Sequence, residues 1–236
     1  MASPVRYPSG ITNVASSNPL GQYGLPDPSK WHTYFNDFDD YLAGDWTITA
    51  VGTGTSALTD IDGGALLLTN SAADNDGRQH QKVGESFLLT AGKRSIFKTR
   101  FKISDATQSD LIIGLAVTDT TLLGAIAGDG VTDGIFFAKD DGVATLNVYC
   151  QKDTTTGQTS ASAITTMAND TFITASWYYD GVDKVSYFIN DAQIGTLDGT
   201  STYLPDTKLT VSFGSLNGEA VAKLMTIDYI FAAQER

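Results

Sequence analysis

Phe97-Lys98-Thr99-Arg100-Phe101-Lys102-Ile103 alternates without a break. Phe97, Thr99, Phe101 and Ile103 fall on one side, with Lys98, Arg100 and Lys102 on the other. Successive side chains of an extended strand point to opposite faces, whereas a helix would scatter these residues around its axis. One dry face and one wet face mark a strand in an antiparallel sheet covered on one side. The pattern recurs along the chain. Val185, Tyr187 and Ile189 alternate with Ser186 and Phe188, and Leu209, Val211 and Phe213 with Thr210 and Ser212. Near the C-terminus Met225, Ile227, Tyr229 and Phe231 share a face, against Thr226, Asp228 and Ile230. Apolar runs at residues 65–69, 111–118, 134–138 and 172–179 read as more deeply buried strands.

Turn signals separate these strands: Asp62-Gly63-Gly64, Asn75-Asp76-Gly77, Asp140-Asp141-Gly142, Asp180-Gly181, Asn190-Asp191 and Asn217-Gly218. Asn, Asp and Gly tolerate the positive φ that tight hairpins require. Residues 172–197 read as a three-stranded meander. The one helix expected is short and lies within residues 120–127, and the small, polar stretch 153–162 reads as an exposed loop. No fixed-period repeat is present. Roughly a dozen short strands bury their alternating faces by packing sheet on sheet, so the fold class is an all-β sandwich.

The prolines are confined differently. Pro4, Pro8, Pro19, Pro26 and Pro28 lie in the first 28 residues and only Pro205 lies beyond. Proline fixes φ and removes a backbone donor, so residues 1–35 read as an extended N-terminal arm and 36–236 as the sandwich body. The formal charge is −12; residues 1–30 hold Arg6 and Lys30 against Asp27, which leaves −13 on the rest. So acidic a body repels phosphate backbones and anionic membranes, which argues against both as partners. No stretch approaches the ~18 apolar residues of a membrane-spanning helix. The start, Met1-Ala2-Ser3-Pro4-Val5-Arg6, lacks a secretory apolar core, so the expected place of synthesis is a cytoplasm, without classical export.

Chemistry-bearing motifs are sparse. Sandwich glycosidases need two carboxyls across a cleft, and no Glu-x-Asp-x-x-Glu run occurs; the only glutamates are Glu85, Glu219 and Glu235. The expectation is that the chain is not an enzyme. Asp74-Asn75-Asp76-Gly77 resembles part of a calcium loop, but Ala72 and Val83 stand at its end positions. It reads as a turn, with a looser site among Asp60, Asp62, Asp74 and Asp76 as the alternative. His32 and His80 have no Cys or His at ligand spacing, and neither phosphate-binding nor serine-hydrolase motifs occur. No metal or cofactor is expected. Cys150 reads as a small buried hydrophobe, and Trp46 and Trp177 as core. The row Lys98, Arg100, Lys102 reads as a solvated outer face, or as a patch that meets acidic surface on a neighbouring copy.

The arm is richer. Arg6, Tyr7, Ile11, Val14, Tyr23, Leu25 and Trp31 give an extended segment the residue types of interface anchors. The stretches Arg6-Tyr7-Pro8-Ser9-Gly10-Ile11-Thr12-Asn13-Val14, Pro26-Asp27-Pro28 and His32-Thr33-Tyr34-Phe35-Asn36-Asp37-Phe38 resemble the start of tailed-bacteriophage virion proteins that accompany the major capsid protein. The body, with its late Thr226-Ile227-Asp228-Tyr229-Ile230-Phe231 strand, resembles the concanavalin-A-like jelly-roll sandwich. The resemblance implies a decoration or cement protein on the exterior of a phage head, bound to the major capsid protein and to its own copies, a trimer favoured, without a cofactor. A lectin-like virion module that holds host surface glycan is the alternative. An enzyme acting on polysaccharide is the third reading, disfavoured by the missing carboxylate pair. Fold alone does not choose among them.

Overall fold

The computed structural model describes residues 30–123, 130–153 and 158–236. Fifteen strands are described: β1 (Trp31–Asn36), β2 (Trp46–Val51), β3 (Thr55–Thr59), β4 (Ala65–Thr69), β5 (Gly77–Lys82), β6 (Ser95–Ile103), β7 (Ser109–Ala116) and β8 (Gly134–Lys139) come first among them. Then come β9 (Thr145–Gln151), β10 (Gln158–Thr166), β11 (Ile173–Tyr179), β12 (Val185–Ile189), β13 (Ala192–Leu197), β14 (Thr210–Asn217) and β15 (Leu224–Glu235). They form two antiparallel sheets. The front sheet runs β10-β9-β8-β7-β14-β5-β2, and the back sheet β13-β12-β11-β6-β15-β4-β3, with β1 also on β15. Residues 31–35, at the end of the expected arm, thus form a strand with the last strand of the chain.

The facing sides meet as the alternation demands. Phe97, Phe101 and Trp177 of the back sheet pack against Leu111, Ile113, Phe137, Val148 and Phe213 of the front sheet in one core. Phe97 and Trp177 stack at 6.1 Å. Cys150 is fully buried, and burial pushes its thiol up to about 12, where it is neither nucleophile nor ligand at neutral pH. The outer face of the back sheet holds Lys98, Arg100 and Lys102 at half-buried positions. The central strands β7, β8 and β14 of the front sheet are buried on both faces, which explains the unbroken apolar runs of β7 and β8: Leu122 and Val131 lie over Ile112, Ala116, Phe136 and Ala138. Lys139, also fully buried, donates to the carbonyls of Asp140 at 2.7 Å and Val143 at 2.8 Å, and so caps the β8–β9 hairpin.

Three expectations change. Residues 158–162 belong to strand β10, not to a loop; an edge strand needs only β9 as a partner, and small polar residues suffice there. Residues 120–123 of the expected helix are not helical and 124–127 lie outside the described residues, while the helical turns among the described residues are a 3-10 turn at Ala43–Asp45 and an α turn at Thr200–Tyr203. The third change lies in β15. Ile227 pairs with Phe101 but Tyr229 with Arg100, leaving Asp228 as an extra residue. This bulge inverts the alternation behind it. Ile230 and Ala232 enter the core, and Tyr229 and Phe231 turn outward. The carbonyl freed at Tyr229 accepts the buried Thr99 hydroxyl at 2.9 Å, and Asp228 pairs with Arg100.

Candidate functional site

Chemistry gathers along the edge where β5 and β2 of the front sheet face β3, β4 and β1 of the back sheet. Arg78, His80 and Lys82 alternate on β5 toward the space between the sheets. His80 stacks flat on Phe213, with ring centroids 5.1 Å apart and an angle of 5°, and stands edge-on to Trp46. Its Nε2 lies 3.0 Å from Ser56 Oγ and 3.2 Å from the Tyr41 hydroxyl, while Nδ1 has no partner. Arg78 Nε donates to Ser56 Oγ at 3.0 Å, and Arg78 also donates to the Gly54 carbonyl. A serine beside a histidine is the geometry of an activated hydroxyl. Here burial, then the Arg78 charge, holds the imidazole down to about 3, far from the match to neutral pH that a general base needs. The cluster closes the sandwich edge. Sequence could not pair Ser56 with His80, because they meet only when β3 and β5 take opposite sheets.

Farther along this edge the chain passes from β1 to β2 through residues 37–45. Phe38 sits at φ +52°, is fully buried, stacks on Trp46 and meets Phe213 edge-on. Its N–H donates to Asn36 Oδ1 at 2.8 Å. With that ring as anchor, its neighbours Asp37, Asp39 and Asp40 are left at the surface. They bound a pocket of about 420 Å³ together with Tyr34, Phe35, Asn36, Asp45 and Lys82. Phe35 is 60% exposed, unusual for an aromatic residue in a strand, and its ring lies 6.4 Å from that of Tyr229. Lys82 pairs with Asp45 at 3.3 Å, and among the described residues no cation pairs with Asp37, Asp39 or Asp40. Burial, then the charges of Asp228 and Asp39, raises the Asp37 carboxyl above its usual range.

The outer face of the back sheet carries Trp31, Ile96, Tyr178, Phe231 and Ala233 as one apolar cluster. Arg94 lies over Trp31 at 5.6 Å, and Arg100 and Lys102 over Phe172 at 4.1 and 5.1 Å. Lys98 pairs with Asp191 at 2.6 Å. The basic row is therefore largely balanced on its own face. Trp31 is the one docking candidate in view; Arg6, Tyr7, Ile11, Val14, Tyr23 and Leu25 lie outside the described residues.

The outward side of the front sheet is covered. Gln81 Nε2 donates to Val117 O at 2.9 Å, Gln79 Nε2 to Asp119 O at 2.6 Å, and Gln151 Nε2 to Val131 O at 2.7 Å. Asp76 Oδ2 accepts the Ser71 hydroxyl at 2.5 Å, so the Asp74–Asp76 segment is a capped turn. Among the described residues no three His, Cys, Asp or Glu side chains converge as metal ligands.

No family model matches the chain, and no curated protein matches it. Solved structures do. The endo-1,3-β-glucanase of Streptomyces sioyaensis superposes with a TM-score of 0.60 at 11% identity, over 89% of this chain and 98% of that one. The endo-β-1,4-glucuronan lyase of Trichoderma reesei gives 0.58 at 12% identity, over 85% and 94%. The carbohydrate recognition domain of Emp46p, potassium-bound, gives 0.56 at 12% identity, over 84% and 94%. The fold is the concanavalin-A-like jelly-roll sandwich. Likeness at this identity shows the fold alone, and none of these three is described as a virion component. It corrects the expectation that the chain is not an enzyme, since a lyase and a glucanase are built on this sandwich. A missing Glu-x-Asp-x-x-Glu run removes one hydrolytic arrangement, not polysaccharide chemistry as a class.

Proposed function

We propose that this chain binds carbohydrate at the edge pocket between β1 and β2. The observation that carries the reading is Phe35, an exposed ring on the rim of a pocket walled by Asn36, four carboxylates and Lys82. A pyranose has a C–H face that stacks on an aromatic ring and a rim of hydroxyls that donate to carboxylates. The pocket presents both partners side by side, in the concave form usual for small-ligand sites. The similar carbohydrate recognition domain and polysaccharide enzymes support the class of ligand. The shell-decorating alternative draws on arm residues 1–29 and gains no support from the comparisons, so the glycan reading is preferred.

The test is a glycan array followed by titration of the best ligand into the intact chain and Phe35→Ala. The variant is expected to bind about tenfold more weakly, equivalent to ~1.4 kcal/mol, with an unchanged melting temperature because the ring is already exposed. The same mixtures are assayed for new polysaccharide chain ends, whose release would assign the pocket to turnover. An intact chain that holds no glycan overturns the proposal.

A further inference from the structure

We infer that the glycan taken by the edge pocket carries free amino groups, as in a glucosamine oligosaccharide, an inference that rests on the carbohydrate-binding reading above. The pocket wall holds Asp37, Asp39, Asp40 and Asp45 against the single cation Lys82. That cation is committed, because Lys82 Nζ lies 3.3 Å from Asp45 Oδ2 and 3.4 Å from the Asp45 carbonyl. Three carboxylates therefore face the pocket without a cationic partner among the described residues. Burial first, then the Asp228 and Asp39 charges, raises the Asp37 carboxyl, so a cation placed beside it would be favoured.

A ligand's charge decides how it meets such a wall. A uronate or sulfated sugar brings a further anion into a space where like charges already repel. An uncharged sugar can donate hydroxyls to the carboxylates and stack on Phe35, but leaves the charge uncompensated. A protonated amino sugar makes the same stack and adds charge-assisted N–H···O bonds, which are roughly twice as strong as neutral ones. It also sets a cation near the rim rings of Tyr34 and Phe35. The ranking is amino, then neutral, then acidic.

Calorimetric titration at mildly acidic pH of the full chain with matched tetramers of glucosamine, glucose and glucuronate tests this. The glucosamine tetramer is expected to bind at least tenfold more tightly than the glucose tetramer, with glucuronate undetected. That margin should narrow sharply in ~0.5 M salt, where exposed charges are screened. Because the whole chain carries −12, two double variants separate the pocket from general attraction. Asp39→Asn with Asp40→Asn should erase the amino-sugar margin. Asp74→Asn with Asp170→Asn, which removes equal charge from exposed positions elsewhere, should leave it intact. Equal loss in both variants, or glucose or glucuronate binding as well as glucosamine, overturns the inference while the carbohydrate-binding reading stands. If no glycan binds at all, both fall together.

Discussion

Inserting one alanine between Tyr229 and Ile230 is expected to abolish the native fold. Ile227 and Tyr229 pair with Phe101 and Arg100, neighbours on β6, so β15 already carries one surplus residue, Asp228, in its bulge. A second surplus residue slips every following side chain by one position relative to β6 and β1. A one-residue slip sends the inward set to the outer face. Ile230 and Ala232, both fully buried, would face water, and the larger Phe231 would be driven into a core with no space for it. The pairings of residues 230–235 with β1 and of residues 230–234 with β6 fail together. The loss is on the order of 5 kcal/mol or more, comparable to a domain's whole stability. Deleting Asp228, by contrast, closes the bulge with the register on both sides intact and removes the pair with Arg100, at roughly 1–2 kcal/mol. Near-ultraviolet circular dichroism and thermal melts of the two variants check this. An insertion variant that melts cooperatively near the parent temperature would show that the register of β15 is dispensable.

The second large effect is a response to pH in which two buried groups oppose each other. His80 is held down to about 3 from an ordinary 6.5. The unfolded chain therefore takes up a proton as pH falls below 6.5 while the folded chain does not, so its contribution is full above 6.5 and is lost toward 3. Between pH 7 and 4 this amounts to about 3 kcal/mol lost. Asp110, 2% exposed, is raised from 3.8 to about 6 by burial and by the charges of Asp141 and Asp140, against the bond from the Asp141 N–H and the Lys139 charge. Its contribution runs the other way: it is full below 3.8 and lost as pH rises through 6, by roughly 2 kcal/mol between pH 4 and 7. These two terms largely cancel in the parent chain, and single variants expose them. His80→Phe should gain on the parent as pH falls from 7 to 4, and Asp110→Asn should gain on it as pH rises across the same window. Denaturant midpoints at each pH give both differences. Parallel pH profiles for parent and His80→Phe would mean that His80 is not the acid-labile group.

Phe97 to Ile103 declares its two faces because the strand carries its own period, and no distant contact is needed to read it. The same holds for the meander of β11, β12 and β13, and for the burial of Cys150, Trp46 and Trp177, where composition and alternation agree. The sequence by itself determined the all-β sandwich, since alternating strands too numerous for one half-wet sheet must pack face to face. Tertiary structure decided what depends on partners far along the chain. The bulge at Asp228 is invisible in alternation, because Tyr229 and Phe231 suit either face until Thr99 supplies the hydrogen bond that fixes the kink. Residues 117–123 and 130–133 bury the outer side of the central front-sheet strands only once Gln79, Gln81 and Gln151 reach them. The pocket is the clearest case. Asp37, Asp39 and Asp40 gather at a pocket only when Phe38 drops between Trp46 and Phe213, and a local pattern carries no record of that anchor.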